Sequence, residues 1–230
     1  TGDERYWPSD VASRPSPPGA ALDALDRSIA AGATIVAIGP YTNLALLEVA
    51  SPGRLARVPV VVMGGWTQPP DDGLPAWGPE RDWNVQWDTR AARILAAAAA
   101  RLTLVTLPVT LKVALRAAHL PRLRASGPLG DLLARQAEAH AEDHGMAQLG
   151  RAHPRLPDDL LNFHYDPVAC AVALGWQGAV VEERRLRPVL DGDVLRFQTD
   201  TRGRPTRVVV HLDAASFAET WLGAVEAAQP

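Results

Sequence analysis

The sequence predicts an α/β fold: a mostly parallel sheet with helices on both faces, followed by a β-rich C-terminal part. Three observations carry this. Apolar runs of strand length alternate with stretches of helical periodicity and short turns between them, the order that builds a parallel sheet covered by helices. Val58–Met63 is an almost unbroken Val/Met run, as a strand covered on both faces requires. After residue 176 the pattern changes to strand-like stretches separated by turn residues.

The elements follow in order. Thr1–Gly19, with Pro8, Pro15, Pro17 and Pro18, reads as loop. Ala20–Ala31 places Leu22, Leu25 and Ile29 at helical spacing, opposite Asp23, Asp26 and Arg27, and stops at Gly32. Thr34–Ile38 is a short β-branched run turned by Gly39-Pro40. Asn43–Ala50 reads as a helix opened by Thr42, and Val58–Met63 as a strand ended by Gly64-Gly65. Thr67–Trp83 is a long loop rich in Pro, Gly, Asp and Trp. An Ala-rich helix over Thr89–Ala100 leads into an apolar strand over Leu102–Thr106. Helical stretches over Pro121–Arg124 and Leu129–His144 come next, then a polar segment carrying Pro154 and Pro157. Asp166–Leu174 reads as a short helix, its Asp-Pro start matching helix-opening chemistry. Strands are expected over Ala179–Val189, Val194–Thr199 and Thr206–Leu212, with an amphipathic helix over Ala214–Ala228. All 230 residues are read as one domain, without repeats or a linker.

Composition narrows the functional classes. With 23 basic and 26 acidic residues, the chain offers no basic field for a phosphate backbone, so nucleic acid is not an expected partner. Cys170 is the single cysteine, which excludes an internal disulfide framework and a cysteine-based zinc site. The longest greasy stretch, Ile94–Ala100, is too short to span a bilayer. No membrane partner is expected, and the protein is read as cytoplasmic.

Ligands of open parallel sheets bind beyond the carboxyl ends of the strands. The candidate loops are therefore Gly39–Asn43, Gly64-Gly65-Trp66 with the stretch behind it, and Pro108-Val109-Thr110. Each also has a plain reading. Gly39-Pro40 with Thr42-Asn43 makes an ordinary turn and helix start, and Asp166 before Pro167 an ordinary cap. Gly64-Gly65 either ends a strand or lets backbone approach a ligand closely. Trp66, Trp77, Trp83 and Trp87 suit a flat ring ligand, with core packing the alternative for Trp83 and Trp87. His140 and His144 share a helix face without an obvious third ligand, so a solvated face is expected there.

The order of these elements is more specific than any one of them. Ile38-Gly39-Pro40-Tyr41-Thr42-Asn43-Leu44-Ala45 resembles the G-P-L-T-N-L-A segment of the inosine–uridine-preferring nucleoside hydrolase family. Val60–Gly65 is similar to its V-x-M-G-G strand end, and Asp82–Ala92 to its E-F-N-x-x-x-D-P-E-A-A. Leu107–Thr110 is similar to L-D-V-T, and Tyr165-Asp166-Pro167-Val168-Ala169 to H-D-P-L-A. The resemblance covers residues 33 to about 175, and the tail fits more loosely.

The resemblance implies a Rossmann-like core and hydrolysis of the N-glycosidic bond of a small-molecule ribonucleoside, with Ca²⁺ holding the ribose diol and the attacking water. It implies a homo-oligomer, dimer or tetramer. Carried over residue by residue, Asp166 is a Ca²⁺ carboxylate and Thr42 supplies a backbone carbonyl to the ion. Asn84 and Asp82 hold ribose hydroxyls, and Met63 packs on the sugar. Some members rely on aromatic stacking to make the base a better leaving group, a role that Trp66 and Trp77 of the Trp cluster would suit.

The departures from the family pattern matter as much. Asp82 stands where the family has Glu, and Ala76 where it has an asparagine. Tyr165 stands where many members carry the histidine that protonates the leaving base; a phenol is a weak acid at neutral pH. His164 takes that role only if the backbone turns it inward. The family's opening D-x-D-x-x-x-D-D cluster does not occur; Asp23, Asp26, Asp71-Asp72 and Asp158-Asp159 stand in other contexts. The expectation is therefore a domain lacking the N-terminal strand–helix units, with an incomplete Ca²⁺ site, and the alternative is a catalytically impaired homologue that binds nucleosides or sugars.

Overall fold

The structure, a computed structural model, describes residues 6–7 and 15–228; most of the opening loop expected over 1–19 lies outside the described residues. The first half forms α1 (Ala20–Ala30), β1 (Ile35–Ala37), α2 (Thr42–Ala50), β2 (Pro59–Met63), the four-residue helix α3 (Trp83–Gln86), α4 (Thr89–Ala98), β3 (Arg101–Val105) and α5 (Leu107–Thr110). These follow the expected order closely, apart from α3, which falls at the end of the stretch read as loop, and α5.

Six strands make the main sheet. β6 (Ala179–Asp191), β7 (Val194–Thr199) and β8 (Arg204–Leu212) give the order β1-β2-β3-β8-β6-β7. β1, β2, β3 and β8 run parallel, while β6 is antiparallel to β8 and β7 to β6. The β-rich tail is thus no appendix: β8 pairs directly with β3 and continues the same sheet.

Alternate side chains of each central strand serve opposite faces. Val60, Val62, Leu102, Leu104 and Val208 pack with Ile29, Leu44, Leu47 and Leu95 of α1, α2 and α4. Val61, Met63, Val105 and Val209 pack with α9 (Tyr165–Ala173) and α10 (Ala214–Ala227) through Val168, Ala169 and Phe217. Both faces are dry, which is why β2 reads as a near-continuous apolar run.

The middle of the chain was only partly foreseen. β4 (Ala114–Arg116) pairs antiparallel with β5 (Leu160–Phe163) in a second, two-stranded sheet. Between them lie α6 (Leu120–Ala125), α7 (Pro128–Asp143) and α8 (Met146–Ala152). The segment read as polar coil therefore contains both α8 and β5. The small sheet delivers the chain to α9, since the His164 amide donates to the Val113 carbonyl at 2.9 Å. No helix of the described residues is long and apolar enough to cross a membrane.

Candidate active site

At the carboxyl ends of β1, β2 and β3 the chain leaves a cleft of about 400 Å³. Ile38, Gly39 and Pro40 line it from the turn after β1, Met63 from β2, and Leu107 from the start of α5. The opposite wall is Trp77 and Arg81–Asn84, and the N-terminus of α9 closes it with Tyr165 and Asp166. The sheet rule and the motif order thus converge on one place.

Its floor is a network built on Met63 and Asp82. Gly64 and Gly65 both take positive φ, 138° and 99°, which turns the chain sharply at the end of β2. The turn aims the Gly65 amide at Asp82 Oδ2, 2.6 Å away, while Asp82 Oδ1 accepts from the Val85 amide at 3.2 Å and so caps α3. The Met63 carbonyl accepts from both Tyr41 Oη at 2.9 Å and Asn84 Nδ2 at 3.0 Å. Asp82 is 3% exposed, and burial pushes its carboxyl up to about 6 against the pull of the two amides. Burial, with Asp82 nearby, also raises the Tyr41 phenol well above its ordinary value, so Tyr41 keeps its proton and donates it to Met63.

The start of α9 separates three neighbouring residues. Asp166 reaches the cleft half-buried in the first turn of the helix, where the dipole favours an anion. No hydrogen bond or ion pair from the described residues reaches its carboxylate, and burial raises its pKa. Tyr165 also lines the cleft, packed on Phe163 at 5.6 Å between ring centroids. Burial raises its phenol pKa further, so the hydroxyl is a hydrogen-bond donor and a still weaker acid than a free tyrosine. His164 does not turn inward. Its ring lies against Phe217 and Trp221 of α10, at 5.2 and 4.6 Å. Its buried Nε2 has no partner among the described residues, and desolvation pushes its pKa down to about 4.

Of the other expected residues, Trp77 lines the cleft and meets Phe163 edge-on. Trp66 does not; its indole donates to the Trp77 carbonyl at 3.2 Å and holds the loop in shape. Thr42 opens α2, and its hydroxyl donates to Asp88 Oδ2 at 2.7 Å, outside the cleft lining. Trp83 and Trp87 are neither core nor buried: 64% and 65% exposed, their rings meet at a tilt of 33° with centroids 4.5 Å apart, with Trp83 on the cleft rim. Sequence reasoning missed Tyr41, whose only signal was an aromatic in the turn after β1, and Arg81.

The donor set for a metal is thin. Among the described residues no three His, Cys, Asp or Glu side chains are grouped to hold an ion. Asp71 is committed to Lys112 and Arg155, Asp159 to Arg116, and Asp26 to Arg54. Both Asp82 oxygens already accept backbone amides. That leaves Asp166 as the free carboxylate of the cleft, whereas Ca²⁺ takes six to eight oxygens. The described residues alone do not fit the ion.

The profile of the family described as inosine-uridine preferring nucleoside hydrolase matches residues 3–219. Among curated relatives, the pyrimidine-specific ribonucleoside hydrolase RihA of Salmonella agona is 34% identical over 113 residues, 48% of this chain and 35% of that protein. RihA of Citrobacter koseri is 35% identical over 115 residues, with the same coverage. The matched region therefore spans about a third of these relatives' length. Among solved structures, a purine-preferring ribonucleoside hydrolase from Gardnerella vaginalis superposes with TM-score 0.73 at 21% identity, over 96% of this chain and 68% of that one. A plant nucleoside hydrolase gives TM-score 0.73 at 22% identity, over 99% and 73%. The chain belongs to the inosine–uridine-preferring nucleoside hydrolase family.

Proposed function

We propose that the cleft binds the ribose of a ribonucleoside and that the protein hydrolyses its N-glycosidic bond, giving free base and ribose. The observation that supports this reading is the convergence, in one cleft, of the turns after three parallel strands with the half-buried, unpartnered carboxylate of Asp166. Asp82 and Asn84 present oxygen and amide groups to ribose hydroxyls, and the Met63 side chain packs on the sugar. Trp77 and Tyr165 frame the base, with the Tyr165 hydroxyl donating a hydrogen bond to it rather than giving up a proton. As the C–N bond breaks, positive charge grows on the sugar, and the carboxylates around it act most strongly there. Water forms the new C–O bond at the anomeric carbon as the C–N bond breaks; the base leaves with the electron pair of that bond and takes up, through solvent, the proton that the water gives up. Asp166 and the Thr42 carbonyl are the oxygens the family resemblance offers to Ca²⁺. Two oxygens do not complete such a site.

That thin donor set favours a second reading, in which the chain binds nucleosides or sugars without turning them over. Ribose release from inosine and uridine, with added Ca²⁺ and with chelator, separates the two. Release supports hydrolysis; saturable binding of inosine without release at any Ca²⁺ concentration supports binding alone. Absence of both overturns the cleft assignment.

Trp77→Ala is expected to weaken inosine binding or turnover about tenfold, on the ~1–3 kcal/mol scale of base–aromatic stacking. His164→Ala, outside the cleft, is expected to change it less than threefold while lowering thermal stability. Equal effects of the two variants on binding count against Trp77 as a base contact.

A further inference from the structure

We propose that Gln86 is a positioning residue for the cleft: its side-chain amide substitutes for a neighbouring strand on the free edge of β7 and thereby fixes the helix that carries Asn84. β7 is the last strand of the sheet, so one edge of its backbone has no partner strand among the described residues. The Leu195 amide on β7 donates to Gln86 Oε1 at 2.9 Å, and Gln86 Nε2 donates back to the Leu195 carbonyl at 2.8 Å. One primary amide thus satisfies both backbone groups of one residue, as a facing peptide unit does. Two residues on, the Phe197 amide donates to the Trp66 carbonyl at 2.9 Å. Both ends of the long loop between Gly65 and α3 are therefore tied to the same strand edge. Gln86 Nε2 also donates to the Pro79 carbonyl at 2.8 Å, tying α3 to the turn before it.

The clamp adds to the other anchors of α3, which are Val85 in the core and the Asn84 bond to the Met63 carbonyl. A helix of four residues does not stand by itself. Asp82 caps one end, and the outer side presents Trp83 and Trp87 to solvent. Among natural side chains, the donor–acceptor pair at this reach is glutamine's: glutamate lacks the donor, lysine and arginine the acceptor, and asparagine is a methylene shorter. Gln86 is not itself part of the cleft lining, and its backbone amide donates to the Asp82 carbonyl at 2.9 Å, so its influence on ribose contacts runs through Asp82 and Asn84. The functional part of this inference rests on the ribonucleoside reading above; the clamp itself does not.

Gln86→Leu in the full chain tests both parts. Amide exchange is expected to quicken at least tenfold at Leu195 while Val208, deep in the sheet, is unchanged; unchanged protection at Leu195 overturns the clamp whatever the activity. With inosine, KM is expected to rise about tenfold and kcat to stay within about threefold. In an Asn84→Ala background the same substitution is expected to change KM less than twofold, since interacting sites are non-additive. An undiminished tenfold rise in that background, or no rise in either, overturns the positioning role. Faster exchange at Leu195 in a protein whose wild type neither binds nor cleaves inosine upholds the clamp and overturns the ribonucleoside reading.

Discussion

Gly64→Ala is expected to destabilise the protein by about 2–5 kcal/mol, the combined scale of left-handed strain and overpacking, and to abolish ligand binding in the cleft. Two causes act together. At φ 138° the backbone is in a region that L side chains rarely adopt. A Cβ built there overlaps the Tyr41 hydroxyl and crowds Asp82 Oδ1 at 3.2 Å and Val85 Cγ2 at 3.3 Å. Tyr41 is 2% exposed and its hydroxyl is bonded to Met63, so it does not withdraw freely. Relief therefore requires Tyr41 to give up its bond to Met63, and the crowding of Asp82 strains its bond to Gly65 and its cap on α3. Gly39, also on the cleft, is the internal control: no atom lies within 4 Å of a Cβ there, so Gly39→Ala is expected to change stability by less than about 1 kcal/mol. Urea unfolding of both variants checks this, and equal losses would overturn the assignment of strain to Gly64.

The same turn shows what the sequence makes legible. Val58–Met63 and the glycines behind it identify a buried strand and its end, because a strand covered on both faces needs apolar residues at every position and a sharp exit needs glycine. α1 was legible from helical spacing because it buries one stripe against the sheet, and α2 and α4 from the Thr42 start and the Ala-rich run. β4 and β5 were not. They are three and four residues long, too short to show a period, and they pair across more than forty intervening residues. Local pattern carries no information on such a partnership. The site divides in the same way. Motif order brought Met63, Asp82, Asn84, Tyr165 and Asp166 to one cleft, since each sits at an element end whose position the fold dictates. Whether His164 faced inward depended on Phe217 and Trp221 of α10, some fifty residues away. Gln86 depended on the edge of β7, 109 residues distant. Long-range contacts of this kind leave no local trace, and they decide which of two adjacent side chains reaches the ligand.

Asp82 is expected to make both stability and ligand affinity titrate near pH 6, in opposite directions. Its carboxyl rises from the ordinary 3.8 to about 6 in the folded protein because burial disfavours the charge more than the Gly65 and Val85 amides favour it. The folded state therefore holds the proton more tightly than the unfolded chain does. Its stabilising contribution is fully present below pH 3.8 and is lost as pH rises through about 6. The gap corresponds to about 3 kcal/mol between the two ends of that window. Asp82→Asn removes the titration and leaves one backbone amide without its acceptor, a cost of about 1–3 kcal/mol that does not vary with pH. The stability of the wild type relative to Asp82→Asn should accordingly fall by about 2.4 kcal/mol from pH 4 to pH 7.5, and urea unfolding at intervals across that range reads it directly because the other groups cancel in the difference. A flat difference would falsify the burial argument. Ligand affinity runs the other way. The ionised carboxylate retains lone pairs for a ribose hydroxyl beyond those given to the two amides, whereas the protonated acid has fewer to offer. Inosine affinity of the wild type should therefore strengthen as pH rises through about 6, and that strengthening should vanish in Asp82→Asn. The charge that costs the fold stability above pH 6 is the one the proposed reaction uses, which is why the cleft keeps a carboxylate where an amide would leave the folded protein without this burden.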